Sequence, residues 1–241
     1  SLFVSVSWMI KVENAYFRWN KNGPLILHIP KFRIRCGEQI FIKGPSGSGK
    51  TTLLNLLGGV SIPETGMISI MNTNMSTLGS AGRDAFRAEH IGYIFQMFNL
   101  IPYLTLIENV TLPCRFSVAR RQRVLSQAKT LEEEAKRILS GLGLDITTLA
   151  SQSVSQLSIG QQQRVAAARS IIGSPELVIA DEPTSSLDRD VRSSFLDLLF
   201  REVRNTKATL IFVSHDSSLE SHFDRTVSLN ELNQVRQQGS Q

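Results

Sequence analysis

The sequence predicts an α/β fold: a core sheet with parallel strands, a strand-rich portion at its start and a helical portion inserted into it. Three observations lead there. The apolar stretch Gln39-Ile40-Phe41-Ile42-Lys43 runs into a glycine-rich loop and then into the helix-forming Thr52-Leu53-Leu54-Asn55-Leu56-Leu57. Two later runs, Leu177-Val178-Ile179-Ala180 and Thr209-Leu210-Ile211-Phe212-Val213, are apolar throughout and read as strands covered on both faces. Between these regions, residues 97–170 carry no strand pattern.

Length and composition set limits. A chain of 241 residues buries roughly 70–75% of its unfolded surface, enough for one well-packed domain. Hydrophobic residues make up 41% and charged residues 20%, an ordinary soluble balance. No apolar run approaches the roughly 20 residues that cross a bilayer, so membrane work would go through a partner. The segment Ser1 to Trp8 is apolar but has neither a basic start nor a small-residue cleavage site, so a secretory signal is not expected. Met9 is expected as the start, with residues 1–8 a leader or an added segment. Cys36 and Cys114 are far apart and fit no metal spacing, which points to reduced thiols in a cytosolic protein. The net charge of +5 is compatible with nucleic acid or anionic lipid but decides little, because nucleotide-binding domains are often mildly basic.

Taken in order, Met9-Ile10-Lys11-Val12-Glu13 alternates, and Leu25 to Ile29 and Phe32 to Ile34 carry period-2 apolar positions. Turns are expected at Asn22-Gly23-Pro24 and Cys36-Gly37-Glu38. Tyr16 and Phe17 are expected to pack the sheet, while Trp19, bordering a polar turn, is a candidate to stack on a base. Met67 to Ile70 reads as a strand, Arg83 to Glu89 as a short helix and Ile91 to Phe95 as a buried strand. Asn99 to Leu104 is an exposed-looking apolar loop, after which Thr105 and Glu108 have capping-box spacing. Ser117 to Leu142 reads as one long helical stretch whose mixed charges, Arg120 and Arg123 among them, form a solvated face. Val191 to Val203 reads as an amphipathic helix, and Val227 to Leu229 as a closing strand. The expected organisation is one domain over 1–241: a core at 9–96 and 171–233 that includes the strand-rich start, a helical subdomain at 97–170 and a polar tail at 234–241.

Several motifs carry chemistry. Gly44-Pro45-Ser46-Gly47-Ser48-Gly49-Lys50-Thr51 fits G-x-x-x-x-G-K-[ST], and its strand–loop–helix setting aims backbone N–H groups and a helix N-terminus at one anion. Lys50 would reach the β- and γ-phosphates, and the Thr51 hydroxyl, next to Thr52, would take one Mg²⁺ position. Asp181 and Glu182 end an apolar strand, where the first can hold Mg²⁺ and the second can polarise an attacking water. Gln96, just after another strand, has an amide able to meet the same metal ion and water. Ser158 and Gly160 open the helix that begins at Gln161, a second anion site with no glycine loop of its own. One chain cannot easily bring both anion sites to one phosphate; two chains head-to-tail can.

With these residues in place the chain resembles the ABC ATPases. Leu157-Ser158-Ile159-Gly160-Gln161-Gln162-Gln163-Arg164 is similar to the family's signature, Ile179 to Glu182 to its Walker B strand and Ser186-Leu187-Asp188 to its D-loop, with Gln96 and His215 at the Q-loop and switch positions. The resemblance implies a P-loop NTPase, with a RecA-like core, an antiparallel β subdomain and an inserted α-helical subdomain. It further implies ATP and Mg²⁺, Glu182 as base, His215 on the γ-phosphate, Asp188 linking two sites and Trp19 on adenine. Ile159 stands where the commonest signature has glycine, and is expected to turn away from ATP.

Phe95 to Pro102 and Gln161 to Arg169 resemble one branch, that of the lipoprotein-release, macrolide-exporter and cell-division ABC ATPases. That branch implies a subunit on the cytoplasmic face of the bacterial inner membrane, a homodimer when ATP-bound. Its permease partner would have few transmembrane helices and a large extracytoplasmic domain, with Phe98 to Leu104 in the docking surface and no nucleic acid as partner. A soluble ABC ATPase acting on nucleic acid or ribosomes is the alternative, disfavoured by a single cassette with a short helical insert. A scaffold with little turnover is disfavoured by Glu182 and His215.

Overall fold

The computed structural model describes residues 7–45, 47–150 and 152–235. Ser46 of the glycine loop, residues 1–6 of the expected leader and residues 236–241 of the expected tail lie outside the described residues. In order the elements are β1 (Trp8–Phe17), β2 (Leu27–Arg35), β3 (Gln39–Lys43), α1 (Lys50–Leu57), β4 (Thr65–Ile70), β5 (Thr73–Asn74), α2 (Ser80–His90) and β6 (Ile91–Ile94). A helical run follows: α3 (Leu106–Thr111), α4 (Pro113–Phe116), α5 (Val118–Leu125), α6 (Leu131–Gly141), α7 (Ile146–Leu149) and α8 (Ile159–Ile171). Then come β7 (Leu177–Asp181), α9 (Arg189–Asn205), β8 (Thr209–Ser214), β9 (Arg225–Ser228) and α10 (Leu229–Leu232). The chain forms two compact units, one up to Asp84 and again from Ile211, the other from Ala85 to Leu210.

In the first unit β1 lies between β2 and β4, antiparallel to both, and β5 adds at the far edge. Alternation drives this pairing: Ile10, Val12, Ala15 and Phe17 of β1 and Leu27, Ile29, Phe32 and Ile34 of β2 are all buried. The two apolar segments read at 25–29 and 32–34 belong to one strand, β2. Pro30 does not break it because β2 is at the sheet edge, where a proline is tolerated. Tyr16 and Phe17 pack the sheet as expected, Tyr16 stacking on His28 at 4.0 Å. The hairpin between β4 and β5 turns on Met71 and Asn72, both left-handed at φ 49° and 62°, as a two-residue type I′ turn requires. β3 pairs in parallel with β9, and its buried Phe41 meets Phe212 and Phe223 at centroid distances of 6.1 and 5.1 Å.

In the second unit β6 and β7 pair in parallel, from Ile91 beside Leu177 to Ile94 beside Ala180. Helix α8 approaches β6 so closely that a Cβ on Gly92 would sit 1.9 Å from the Ser170 carbonyl oxygen. The charged stretch read as one helix is two, α5 and α6, because each has its own N-cap. Ser117 Oγ accepts the Arg120 N–H at 3.1 Å and Thr130 Oγ1 accepts the Glu133 N–H at 3.0 Å. Its charged face is also not wholly solvated. Arg120 is buried and donates Nε to the Ile172 oxygen at 3.0 Å and Nη2 to the Ser170 oxygen at 2.8 Å. These carbonyls lie at the C-terminal end of α8, where unpaired acceptors and the helix dipole favour a cation. Burial nonetheless pushes the Arg120 pKa down to about 10. The expected capping box opens α3, with Thr105 Oγ1 accepting from Glu108 and Glu108 Oε2 accepting from the Thr105 N–H. Among the described residues no helix is long and apolar enough to cross a membrane.

Candidate functional site

In the first unit the phosphate loop closes on its own lysine. Lys50 Nζ donates to the carbonyl oxygens of Gly44 at 2.7 Å and Pro45 at 3.1 Å. Gly49 caps α1 at φ 95°, a conformation that favours glycine, and no side chain caps the helix. No capping side chain therefore competes with an anion for the first N–H groups of α1. Ser48 Oγ is buried without a hydrogen-bond partner among the described residues, an orphan of the kind a ligand phosphate satisfies. Gly47, Ser48 and Gly49 line a cavity of about 960 Å³ that Pro24, Leu25 and Ile26 also line, a volume in the range of small-molecule sites. Thr51 is exposed and Thr52 buried. Trp19 stands outside that lining, 55% exposed and edge-on to Phe17 at 4.9 Å. His215 follows β8 and is exposed.

In the second unit the parallel pairing of Ile94 with Ala180 brings Gln96 and Asp181 to the same end of two adjacent strands. Gln96 is exposed and Asp181 half-buried. Glu182 comes next, buried and left-handed at φ 46°. Ser158 caps α8: its Oγ accepts the Gln161 N–H at 3.3 Å, and Gln161 Oε1 accepts the Ser158 N–H at 2.9 Å. Ser158 and Ile159 are exposed beside Gly160 at the head of this helix. Asp188 is the N-cap of α9, yet its carboxylate makes no capping bond. The expected residues thus form two sets. Gly44, Pro45 and Gly47 to Thr52 lie in the first unit with Trp19 and His215; Gln96, Ser158, Gly160, Gln161, Asp181, Glu182 and Asp188 lie in the second.

Three residues near these sets escaped the sequence reading. Burial, and then the charge of Asp181, push the Tyr93 phenol well above its ordinary range, so a neutral hydroxyl stands near that carboxylate. Gln163 and Arg169, both on α8, make bonds to the segments that follow Glu182 and Gln96. The only signal for Gln163 was its place in a run of glutamines, which does not distinguish it from its neighbours.

For a metal ion, the expected donors are the Thr51 hydroxyl in the first unit and the Gln96 amide and Asp181 carboxylate in the second, all oxygens of the hard type that Mg²⁺ takes. Among the described residues no three His, Cys, Asp or Glu side chains gather as a metal cluster.

The family described as ABC transporter matches residues 27–185. The chain is 34% identical over 232 residues to the lipoprotein-releasing system ATP-binding protein LolD of Chromohalobacter salexigens, covering 95% of this chain and 94% of that protein. It is also 34% identical to the macrolide export ATP-binding/permease protein MacB of Pasteurella multocida, covering 92% of this chain and 33% of that longer protein. Among solved structures, the dimeric post-hydrolysis state of the ATP-binding cassette MJ0796 bound to ADP and Pi superposes with a TM-score of 0.79 at 32% identity, covering 91% of this chain and 94% of that one.

Proposed function

We propose, from the premise that this chain belongs to the ABC transporter family and is an ATP-hydrolysing subunit working with a membrane permease, that it acts as a head-to-tail pair driving a mechanical stroke. Each phosphate loop would face the signature of the second copy. The observation that carries this reading is the exposed, capped start of α8 at Ser158, in a unit separate from the chain's single G-x-x-x-x-G-K-[ST] loop. The dimeric MJ0796 cassette supports it.

In this account the loop N–H groups and Lys50 hold the β- and γ-phosphates, and Trp19 stacks on adenine. Glu182 takes the proton of the attacking water, and His215 hydrogen-bonds the γ-phosphate. Ser158 and Gly160 of the second copy close over the same phosphates, and Asp188 links the two sites. Mg²⁺, when bound, neutralises charge on the β- and γ-phosphate oxygens; Thr51, Gln96 and Asp181 would hold it. Glu182, buried and fixed by its turn, is suited to a base whose position is set before ATP arrives.

Similarity to the LolD and MacB proteins supports a permease with few transmembrane helices and a large extracytoplasmic domain, and a place on the cytoplasmic face of a bacterial inner membrane. Met97 and Tyr103, each 81% exposed, are apolar anchors for its docking. The test is a pull-down of the Glu182→Gln chain from detergent-solubilised membranes with ATP and Mg²⁺. A permease of that kind supports the proposal. A many-helix permease removes the mechanical branch, and recovery of soluble proteins or nucleic acid alone removes the proposal.

A further inference from the structure

Helix α8 holds more than the signature. Gln163, fully buried, donates Nε2 to the carbonyl oxygen of Pro183, the residue after Glu182. Six residues further along, about 9 Å at the helical rise, Arg169 donates Nη1 to the Asn99 oxygen at 2.7 Å and Nη2 to the Phe98 oxygen at 2.5 Å. These acceptors lie just past Gln96. Both gripped segments are unusual in backbone: Glu182 has φ 46°, Phe98 φ 60° and Asn99 φ 49°. Residues other than glycine stay in that left-handed region only where the surroundings over-determine them. The same helix supplies a restraint to each segment.

Gln163 also pays a penalty that packing does not explain. Its Oε1 is buried and has no hydrogen-bond partner among the described residues, a cost that a leucine of similar size would avoid, though at the expense of leaving the Pro183 carbonyl unpaired. What glutamine supplies and leucine cannot is the bond to the Glu182 turn.

We propose that α8 is the coupling element between the two composite sites, with Gln163 and Arg169 as positioning residues. Contact of Ser158 with the nucleotide held by a second copy sets the helix, and the helix sets the chain's own Glu182 turn and Gln96 segment. The inference rests on the head-to-tail reading above. Neither residue touches ATP; each acts through the segment that it holds.

The test compares Gln163→Leu with the parent for steady-state ATP hydrolysis, half-saturating ATP, Hill coefficient and melting temperature. The expected result is a kcat lower by about 10- to 100-fold, the range that misplacement of a catalytic group produces. Half-saturating ATP should stay within about twofold, since the phosphate loop is intact, and the melting temperature should move by less than about 4 °C, since the orphan Oε1 is removed while the Pro183 carbonyl loses its donor. The Hill coefficient should drop toward one. Arg169→Met should lower kcat and the Hill coefficient likewise, and Arg169→Lys, which keeps a cationic donor group but not the two-pronged geometry, should recover part of the rate. Gln163→Met asks the same question should the leucine variant fail to fold. Unchanged kcat and Hill coefficient, or a loss of kcat that follows a matching loss of stability, overturns the inference. ATP-driven pairing of the Glu182→Gln chain is measured alongside. If that chain pairs and Gln163→Leu turns over normally, the inference alone falls; if it does not pair, the head-to-tail reading falls and takes the inference with it.

Discussion

Lys50 Nζ lies 2.7 Å from the carbonyl oxygen of Gly44, so the first and seventh residues of the phosphate loop are bonded to each other. The ammonium is held by backbone acceptors at the mouth of a loop whose helix has no side-chain cap. A γ-phosphate entering there meets a cation already in place. Lys50→Ala removes this charge together with the bonds that shape the loop. A charge-assisted hydrogen bond contributes about 1.5–3 kcal/mol, so ATP should bind roughly 10- to 100-fold more weakly, as titration of a fluorescent nucleotide will measure.

Glu182→Gln keeps the size of a buried side chain and removes its basicity. Steady-state hydrolysis should fall by about 10²- to 10⁴-fold, the usual contribution of a general base, with ATP affinity retained. Undiminished turnover would remove Glu182 as the base.

Gly92→Ala tests the packing beneath the signature helix. The added methyl would meet the Ser170 oxygen at 1.9 Å, so α8 must move away from β6. Overpacking of this kind costs about 1–3 kcal/mol, which in a chain of this size lowers the melting temperature by roughly 2–12 °C. A melting temperature equal to the parent's would show that the helix is not held there.

Glu176 gives a pH-dependent signature. Burial raises its pKa, but the His90 hydrogen bond at 3.0 Å and the nearby Arg123 more than offset this, leaving it below its ordinary value of 4.5. A carboxylate with a depressed folded-state pKa contributes stability that is fully present above its unfolded value and lost as pH falls through the folded one. The stability gap between the parent and Glu176→Gln, measured by urea unfolding, should therefore be open at pH 7 and close as pH drops below about 4.5. A gap that is constant with pH would contradict this.

Much of this was legible in the sequence because the signals are local. The glycine loop, the strand-end acids and the Thr105–Glu108 box each sit within a few residues, and their structures follow from short-range geometry. What was not legible depends on distant partners or on weak local signals. Arg120 and Arg121 are adjacent and chemically alike, yet one is buried on the end of α8 and the other exposed; only the fold distinguishes them. The turn at Met71 and Asn72 lacked the glycine that marks such hairpins. The break before α6 did leave a trace, Thr130 with Glu133 three residues on, but a continuous charge pattern masked it.

The most direct test of the central claim, that two copies complete each other's ATP sites, is the mass of the Glu182→Gln chain in solution by light scattering. ATP should double it, ADP should not, and adding Ser158→Arg to the same chain should abolish the doubling by placing a bulky side chain where the partner's phosphates must sit. A mass that ATP leaves unchanged, or a doubling that survives Ser158→Arg, would contradict the account.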